Sequence, residues 1–385
     1  MSVRTGLVGA AVVVSVTAGA LASSPALADA PDRAGHGATR QAMDAVVAAG
    51  VPGVTASATD KYGTWKGSSG VGDLRTNTPR GDRDRFRAGS ITKTFVATVL
   101  LQLEAEGRID LDDPVDHWLP GVVTGHGHDG REITVRMLLN HTSGVYDYTS
   151  DKDFQATVFG RDGFLKHRYD TWTPAELVRI AMSHKPDFAP GTSWSYSNTN
   201  YVLAGMVVGK VTGHSYADEI RRRVIAPLHL RATTLPGTTA TMPSPSSRAY
   251  SKFPDDPAAK TYDVTELNPS IAGAAGELIT DSADLTRFYS ALLGGRLLPA
   301  AQLAEMKATV PVPVKKGEPE VGYGLALTRT KLSCGTVVWG HNGEIHGSTS
   351  GAVTTADGRH SLAFNFNGDW TGDGRAVVEA EYCPK

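Results

Sequence analysis

The amino-acid sequence predicts an α+β fold, in which an antiparallel sheet is flanked by helices and joined by a second, mostly helical domain. Two observations indicate this class. Short β-like runs occur near the N-terminus and again in the C-terminal quarter, whereas helical patterns separated by Pro, Gly and Asp turns fill the middle of the chain. The length of 385 residues, with 41% hydrophobic and 20% charged residues, is typical of a globular protein with ample material for a core.

The first 28 residues are predicted to be a secretory signal peptide. Arg4 supplies a positive charge, residues 7–21 are small and apolar, and residues 26–28 (Ala-Leu-Ala) offer a cleavage site. The alternative, a membrane anchor, is disfavoured because the apolar run is shorter than the roughly 20 residues that span a bilayer. We therefore expect a secreted protein with a flexible N-terminus at residues 29–37 and no membrane span in the mature chain.

The rest of the chain is predicted to form a body interrupted by an insertion. Residues 38–109 and 277–385 are assigned to a discontinuous α/β body, and residues 110–276 to the mostly helical domain. The body starts with a helix near residues 38–49, followed by two strands around a turn at residues 61–63.

A strong helix is predicted directly after Ser90, because apolar residues recur at a spacing of four from Ile91 to Leu103. Another helix begins at Ser282, the expected cap, and ends before Gly294. Further helices are predicted near residues 135–140, 173–183, 201–212, 216–224 and 375–382. Strands are predicted near residues 322–329, 335–340, 347–355 and 361–367.

Charge and cysteine content narrow the class of protein further. The net charge of −2 and the pI near 6.6 give no bulk attraction to nucleic acid. Cys334 and Cys383 are the two cysteines of the chain. If they are bonded, as an oxidising environment favours, they close a loop of roughly 50 residues, to which chain entropy assigns about 4 kcal/mol. The alternative is a pair of buried free thiols.

The segment "FRAGSITKTF", residues 86–95, places Lys93 three positions after Ser90. Residues three apart share a helix face, so the amine can approach the hydroxyl. The amine can take the hydroxyl proton where burial or neighbouring charge makes its neutral form accessible. The unpaired N–H groups at the start of a helix could in addition stabilise a developing oxyanion. Alone, the pair is better explained by a capping serine and a solvated lysine.

A second element is "WSYSNTN", residues 194–200. A tyrosine close to a lysine can act as a general base, which is the role considered for Tyr196. Asn198 can orient a substrate amide or the lysine. The alternative is a polar turn before a helix, where Asn and Ser are common caps.

A third element is "WGHNGEIHG", residues 339–347, which follows a β-like run. An edge strand here would align backbone groups along an extended substrate, and Gly343 would allow close approach. The N–H of Glu344 is predicted to complete an oxyanion hole with that of Ser90. Considered alone, His341 is better explained as a structural histidine.

Together, Ser90-x-x-Lys93, Tyr196-x-Asn198 and His341-x-Gly343 resemble the three motifs of the penicillin-recognising serine hydrolases, which include penicillin-binding proteins and β-lactamases. Histidine in the third motif points to the class C-like branch, with its secreted DD-carboxypeptidases, β-lactamase homologues, esterases and D-aminopeptidases. The resemblance covers nearly the whole mature chain, and several of its segments look similar to secreted D-alanyl-D-alanine carboxypeptidases. It implies the β-lactamase/transpeptidase-like form of the α+β fold.

The resemblance also implies a role for each motif residue. Ser90 would be the acylated nucleophile, and Lys93 and Tyr196 would share proton transfer. Asn198 would hold the substrate amide, and His341 would keep its strand polar near the tyrosine. Phe154 and Thr157 are expected to line the pocket, and Cys334 and Cys383 to form the disulfide of this group. No metal or other cofactor is implied.

The third motif departs from that of the best-known carboxypeptidases. Asn342 and Glu344 replace two threonines that flank Gly343, and Thr328 stands where an arginine helps to grip the terminal carboxylate of the substrate, with Arg329 beside it. A carboxylate at Glu344 that faced the site would repel such a substrate.

The sequence therefore predicts a serine acyl-transfer hydrolase, with a D-Ala-D-Ala carboxypeptidase as the first choice. Its expected ligands are D-Ala-D-Ala-terminated peptides or peptidoglycan, with β-lactams as covalent ligands. The alternatives are an esterase, β-lactamase or D-aminopeptidase (D-amidase) of the same family, or a non-catalytic penicillin-binding protein. We expect a monomer.

Overall fold

The fold centres on one large antiparallel sheet. The computed structural model describes residues 35–256, 258–313 and 320–384. The predicted signal peptide and residues 29–34 of the predicted flexible N-terminus lie outside these ranges. The strands in the described residues are β1 (Gly53–Asp60), β2 (Gly63–Asp73), β3 (Thr78–Pro79), β4 (Phe86–Arg87), β5 (Thr124–Gly125), β6 (His128–Asp129), β7 (Tyr250–Ser251), β8 (Tyr262–Asp263), β9 (Ile279–Thr280), β10 (Val310–Pro311), β11 (Val321–Tyr323), β12 (Thr328–Lys331), β13 (Val337–Ile345), β14 (Ser348–Thr355) and β15 (Ser361–Phe366).

Nine of the described strands form the sheet, in the order β10-β11-β12-β13-β14-β15-β1-β2-β3. Each named pair is antiparallel, and β1 pairs with β15 so that Val54 lies opposite Phe366. Strands from both ends of the chain therefore meet in one sheet, as the strand pattern predicted, and the α+β class is confirmed.

Helices cover both faces of this sheet. The helices in the described residues are α1 (Gly37–Ala48), α2 (Thr92–Ala105), α3 (Val115–Trp118), α4 (Val135–Leu139), α5 (Lys152–Val158), α6 (Arg161–His167), α7 (Pro174–Met182), α8 (Asn198–Thr212), α9 (Tyr216–Ile220), α10 (Ala226–Leu228), α11 (Ser282–Leu293), α12 (Ala300–Met306) and α13 (Gly374–Tyr382). Alternate residues of a strand point to opposite faces. Phe364 accordingly packs with Met43 of α1 and Val377 of α13, whereas Ala363 belongs to the larger core that contains α2 and α11.

The middle of the chain carries α3 to α10 and the short pairs β5–β6 and β7–β8. Its helical character follows the sequence pattern, with one addition, since a π-helical stretch, Arg221–Ile225, continues α9. The division into a discontinuous body and a helical domain stays a prediction.

Two local predictions are corrected. Asp281 caps α11 in place of Ser282, because its carboxylate accepts from the N–H of Asp284. The strand predicted at residues 322–329 is split into β11 and β12, because Ala326 between them has a φ of 56° and its N–H donates to the Leu139 carbonyl. Around the predicted turn at residues 61–63, β1 and β2 are confirmed.

Cys334 and Cys383 form a disulfide across a sequence separation of 49 residues. It ties the turn between β12 and β13 to the end of α13, which confirms the bonded alternative. No helix in the described ranges is long and apolar enough to cross a membrane. Within the same ranges, no cluster of three or more His, Cys, Asp or Glu side chains is placed to hold a metal ion.

Candidate active site

Ser90 and Lys93 lie side by side at the start of α2. Ser90 is the middle residue of a 3-10 turn, Gly89–Ile91, that leads directly into the helix. Lys93 Nζ lies 3.0 Å from Ser90 Oγ, as their shared helix face predicted. Neither the turn nor α2 has a side-chain cap, so the Ser90 hydroxyl faces the lysine amine and does not cap the helix.

The side chain of Lys93 is fully buried, with 0% of the residue exposed. Besides Ser90, Nζ contacts Asn198 Oδ1 at 2.8 Å and the carbonyl oxygen of Ala275 at 2.7 Å. Burial lowers the pKa of Lys93 to about 7, opposed by the charge of Asp147. A large fraction of the amine is therefore neutral at neutral pH and able to accept a proton.

Tyr196 lies next to this lysine, with its ring centroid 4.9 Å from Lys93 Nζ. Its hydroxyl oxygen is buried and makes no hydrogen bond of good geometry to the described residues. Burial raises the pKa of Tyr196, although the nearby Ser90 hydroxyl acts in the opposite direction. Tyr196 is therefore a neutral phenol at neutral pH, which suits a proton donor better than a base.

Asn198 is the first residue of α8 and connects Lys93 to a neighbouring loop. Its Nδ2 donates to Asp147 Oδ2 at 3.0 Å and lies 3.3 Å from Thr149 Oγ1. The Thr149 backbone N–H donates to the same carboxylate. A hydrogen-bonded chain thus runs from Asp147 through Asn198 and Lys93 to Ser90.

The third motif lies on β13, opposite the turn that carries Ser90. β12 pairs with β13 only as far as Gly340, whereas β14 pairs with it to Ile345. Residues 341–345 are therefore paired on one side, as the predicted edge strand requires, and residues 342–345 border the cavity beside Ser90. An extended substrate could add to such an edge.

Two glycines allow the strand and the turn to meet. A Cβ atom on Gly343 would lie 1.9 Å from the Ala88 carbonyl oxygen, and one on Gly89, whose φ is 54°, would lie 2.7 Å from the Glu344 nitrogen. Contacts this short exclude any side chain at either position. The Glu344 backbone thus lies next to the turn that carries Ser90, while the oxyanion hole stays a prediction.

His341 is buried behind the strand and does not line the cavity. Its Nδ1 bonds to the Asn342 carbonyl oxygen, so Nδ1 carries the hydrogen and Nε2 accepts from the Tyr323 hydroxyl at 2.9 Å. Burial lowers the pKa of His341 to about 4, so the ring is neutral. Its centroid lies 6.4 Å from that of Tyr196, which matches the position expected near the tyrosine.

A cavity of about 380 Å³ opens over Ser90. Its lining residues are Ser90, Tyr148, Thr149, Phe154, Val158, Phe159, Tyr196, Asn198, Ile271, Ala272, Ala275, Gly276, Asn342, Gly343, Glu344 and Ile345. Phe154 is placed as expected, but Thr157 is not brought to the cavity. Its hydroxyl turns back to donate to the Asp153 carbonyl one helical turn earlier, and Val158 and Phe159 contribute in its place.

The described side chains that line the cavity include an acidic group but no basic one. Glu344 is the ionisable carboxyl group of the lining, and none of the described lining residues is Arg or Lys. The Glu344 side chain is exposed, but partial desolvation against the protein and the nearby Asp369 raise its pKa. Thr328 donates to the Gly340 carbonyl at 2.7 Å within the sheet, and neither it nor Arg329 lines the cavity. The described residues therefore offer no side-chain cation to a terminal carboxylate at this surface.

Comparison with known proteins places this geometry in a family. The Beta-lactamase family model matches residues 39–379. The chain belongs to the beta-lactamase family. Its three motifs are thus those of a penicillin-recognising serine hydrolase, as the resemblance implied.

Individual proteins are similar to this chain over most of its length. A D-stereospecific amidohydrolase from Streptomyces sp. is 62% identical with a TM-score of 0.86, covering 91% of this chain and 99% of that one. The D-amino acid amidase from Ochrobactrum anthropi SV3 is 31% identical with a TM-score of 0.76, covering 89% and 97%. Penicillin-binding protein 4* of Bacillus subtilis is 28% identical over 78% of this chain but 64% of its own length, so the chain spans less than two thirds of that relative.

Two residues of this site were not predicted from the sequence. Asp147 accepts a hydrogen bond from Asn198, which lies 51 residues away in the sequence. The backbone oxygen of Ala275 accepts from Lys93, which lies 182 residues away. Asp147 stands in a polar turn, "GVYDYTSD", where Asp is common for local reasons, so composition gives no signal. A backbone carbonyl leaves no sequence signal at all.

Proposed function

We propose that the protein is a D-stereospecific amidase, which hydrolyses amides of D-amino acids through an acyl-enzyme on Ser90. The observation that carries this choice is the acidic lining of the cavity, with Glu344 and no described Arg or Lys. An amino acid amide presents a positive α-ammonium group and a neutral amide, which suit this lining. A D-Ala-D-Ala terminus presents a carboxylate, which Glu344 would repel.

The chemistry follows from the contacts of Ser90. Ser90 Oγ attacks the amide carbonyl carbon while its proton passes to the neutral amine of Lys93. The tetrahedral intermediate collapses and its C–N bond breaks. Tyr196 can donate its proton to the departing nitrogen and then regain a proton from the protonated Lys93. Water then attacks the Ser90 ester, which releases the D-amino acid and restores the hydroxyl.

The cavity walls indicate the side chain of the substrate. Phe154 and Phe159 lie 6.2 Å apart between ring centroids, and Val158 and Ile271 complete an apolar wall. Such a wall gains free energy from burying apolar surface. The proposed substrates are therefore amides of D-amino acids with a large apolar or aromatic side chain.

The D-Ala-D-Ala carboxypeptidase that the sequence favoured stays the second candidate. The observation in its favour is the half-open edge of β13 at residues 341–345, which suits an extended peptide. The penicillin-binding relative supports it as well. An esterase and a β-lactamase would use the same acyl-enzyme, whereas a non-catalytic penicillin-binding protein would stop at the adduct.

A panel of substrates tests these choices. It comprises D- and L-phenylalanine amide, a D-Ala-D-Ala peptide, a p-nitrophenyl ester and nitrocefin, each with wild-type protein and with Ser90→Ala. We expect turnover of the D-amide to exceed that of the L-amide and of the peptide, and to disappear in Ser90→Ala. Release of D-alanine as the fastest reaction would establish the carboxypeptidase instead, and a stable β-lactam adduct without any turnover would establish the binding protein.

Secretion and a monomeric state are proposals as well. The disulfide supports export, because such bonds persist in oxidising compartments. Mass analysis of the protein from the culture medium tests cleavage after Ala28, and light scattering tests the monomer.

A further inference from the structure

The amide group of Asn198 lies between Lys93 and a carboxylate that lies outside the three motifs. Asn198 Oδ1 is 2.8 Å from Lys93 Nζ, and Asn198 Nδ2 is 3.0 Å from Asp147 Oδ2. Asp147 does not line the cavity and is held from behind, since its other oxygen accepts from the Thr149 N–H. The start of α8 is fixed to the same loop, because the Thr199 hydroxyl donates to the Tyr146 carbonyl at 2.7 Å.

The partners of Lys93 decide where its lone pair points. A neutral amine has two hydrogens and one lone pair. The Ala275 carbonyl and Asn198 Oδ1 can only accept, so each takes one hydrogen. The lone pair is left for the third partner, Ser90 Oγ at 3.0 Å, which is the arrangement that a base toward Ser90 requires.

This result depends on which end of the Asn198 amide faces the lysine. With the amide reversed, Nδ2 would donate to the lone pair of Lys93 and Ser90 would lose its base. Burial raises the pKa of Asp147, and the hydrogen bonds from Thr149, the charge of Lys93 and the hydrogen bond from Asn198 oppose this effect. In its ionised form the carboxylate accepts hydrogen bonds and donates none, so Asp147 holds Nδ2 on its own side and leaves Oδ1 for Lys93.

We propose that Asp147 is a positioning residue for acyl transfer, which fixes the orientation of the Asn198 amide and thereby directs the Lys93 lone pair at Ser90. The proposal rests on the proposed function only in that Ser90 is acylated, whichever substrate is used. Asp147 touches neither the substrate cavity nor Ser90, so it acts through Asn198.

The charge of Asp147 adds a second, separable effect. Its carboxylate raises the pKa of Lys93 against the effect of burial. The other groups that face Lys93 are the rings of Tyr196 and Tyr201, with centroids 4.9 and 5.6 Å from Nζ, and the buried histidines His141 and His341. Burial lowers the pKa of both histidines, which keeps them neutral near pH 7. Removal of the Asp147 charge should therefore lower the pKa of Lys93.

The test compares Asp147→Ala and Asp147→Asn with the matched control Asp151→Asn. Asp151 caps α5 by accepting from the Phe154 N–H and bonds to His184, and within the described residues no hydrogen bond joins it to Asn198. The rate of Ser90 labelling by a fluorophosphonate and kcat/KM for D-phenylalanine amide are measured from pH 5 to pH 9. Thermal melting establishes that each variant is folded.

Both Asp147 variants should lose roughly tenfold to hundredfold in rate with little change in KM, because the misdirected base affects the chemical step. In both variants the rise of the rate on the acidic side of the pH profile should move to lower pH. Asp147→Asn keeps a side-chain oxygen that can accept from Asn198, so it should retain more activity than Asp147→Ala. Asp151→Asn should keep the wild-type pH profile. A wild-type pH profile and rate in folded Asp147→Asn would overturn the proposal. If Ser90 of the wild-type protein is labelled but D-phenylalanine amide is not hydrolysed, only the amidase proposal is refuted. The labelling rates of the variants still test the role of Asp147.

Discussion

Gly343 packs on the Ser90 turn so closely that a Cβ atom at position 343 would lie 1.9 Å from the Ala88 carbonyl oxygen and 3.0 Å from the Ser90 nitrogen. The distance between the nucleophile and the β13 edge is thus set by the absence of a side chain. The predicted oxyanion hole, formed by the N–H groups of Ser90 and Glu344, depends on this distance because such donors must lie close to the reacting oxygen.

Gly343→Ala should therefore impair acylation. The methyl group forces the strand and the turn apart, and a displacement of about 1 Å at a reacting group costs roughly a hundredfold in rate. The measurement is kcat for the best substrate of the panel, together with the melting temperature. The matched control is Gly37→Ala, since a Cβ atom at Gly37 meets nothing within 4 Å. Full activity in Gly343→Ala would show that the close packing has no catalytic role.

The pKa of Lys93 predicts the pH dependence of acylation. Burial lowers this pKa to about 7, and the base is the neutral amine. The rate of Ser90 labelling should therefore rise with pH through about 7 and level off above it. Lys93→Met should reduce the rate by roughly 10²- to 10⁴-fold, the usual contribution of a general base.

The exposed Lys210 on α8 provides the matched control, and Lys210→Met should keep both the rate and the profile. A labelling rate that is independent of pH between 5 and 9 would contradict Lys93 as the base.

The sequence could predict the elements whose signals are local. Ser90 and Lys93 are adjacent because a helix brings residues three apart together, and the helix pattern from Ile91 to Leu103 was visible in the sequence. Tyr196 and His341 could be assigned only by resemblance, since nothing in their spacing from Ser90 indicates a contact.

Features set by distant contacts could not be predicted. The contact of Asp147 with Asn198 depends on how α8 packs against the loop before α5. The break between β11 and β12 at Ala326 has a similar cause, since the Ala326 N–H donates a hydrogen bond to the carbonyl of the distant Leu139. Such choices are made by tertiary packing, which overrides local propensity.

Removal of the disulfide should lower stability without affecting catalysis. Cys334→Ser combined with Cys383→Ser opens a loop with a separation of 49 residues. The free energy of unfolding should fall by up to about 4 kcal/mol, according to the chain-entropy model. Neither residue lines the cavity, so kcat at 25 °C should be unchanged. Urea unfolding of the double variant and of the reduced wild-type protein should agree, and a lost activity at unchanged stability would contradict this assignment.

Glu344→Gln should change the charge preference of the cavity. A hydrogen bond to a charged group contributes about 1.5–3 kcal/mol, so the loss of this carboxylate should reduce kcat/KM for D-phenylalanine amide roughly tenfold to hundredfold, mainly through KM. N-acetyl-D-phenylalanine amide has no α-ammonium group, and its turnover should be unaffected. Turnover of a D-Ala-D-Ala peptide should rise, because the repulsion of its terminal carboxylate disappears.

The pH dependence of KM provides an independent check of the same carboxylate. Because partial desolvation and Asp369 raise the pKa of Glu344, protonation on acidification should weaken binding of the D-amide in wild-type protein but not in Glu344→Gln. The exposed Glu132, which does not line the cavity, provides the control variant Glu132→Gln, with an expected wild-type KM at every pH. Equal losses for the free and the N-acetylated amide in Glu344→Gln would show that this side chain supports the cavity wall but does not recognise the ammonium group.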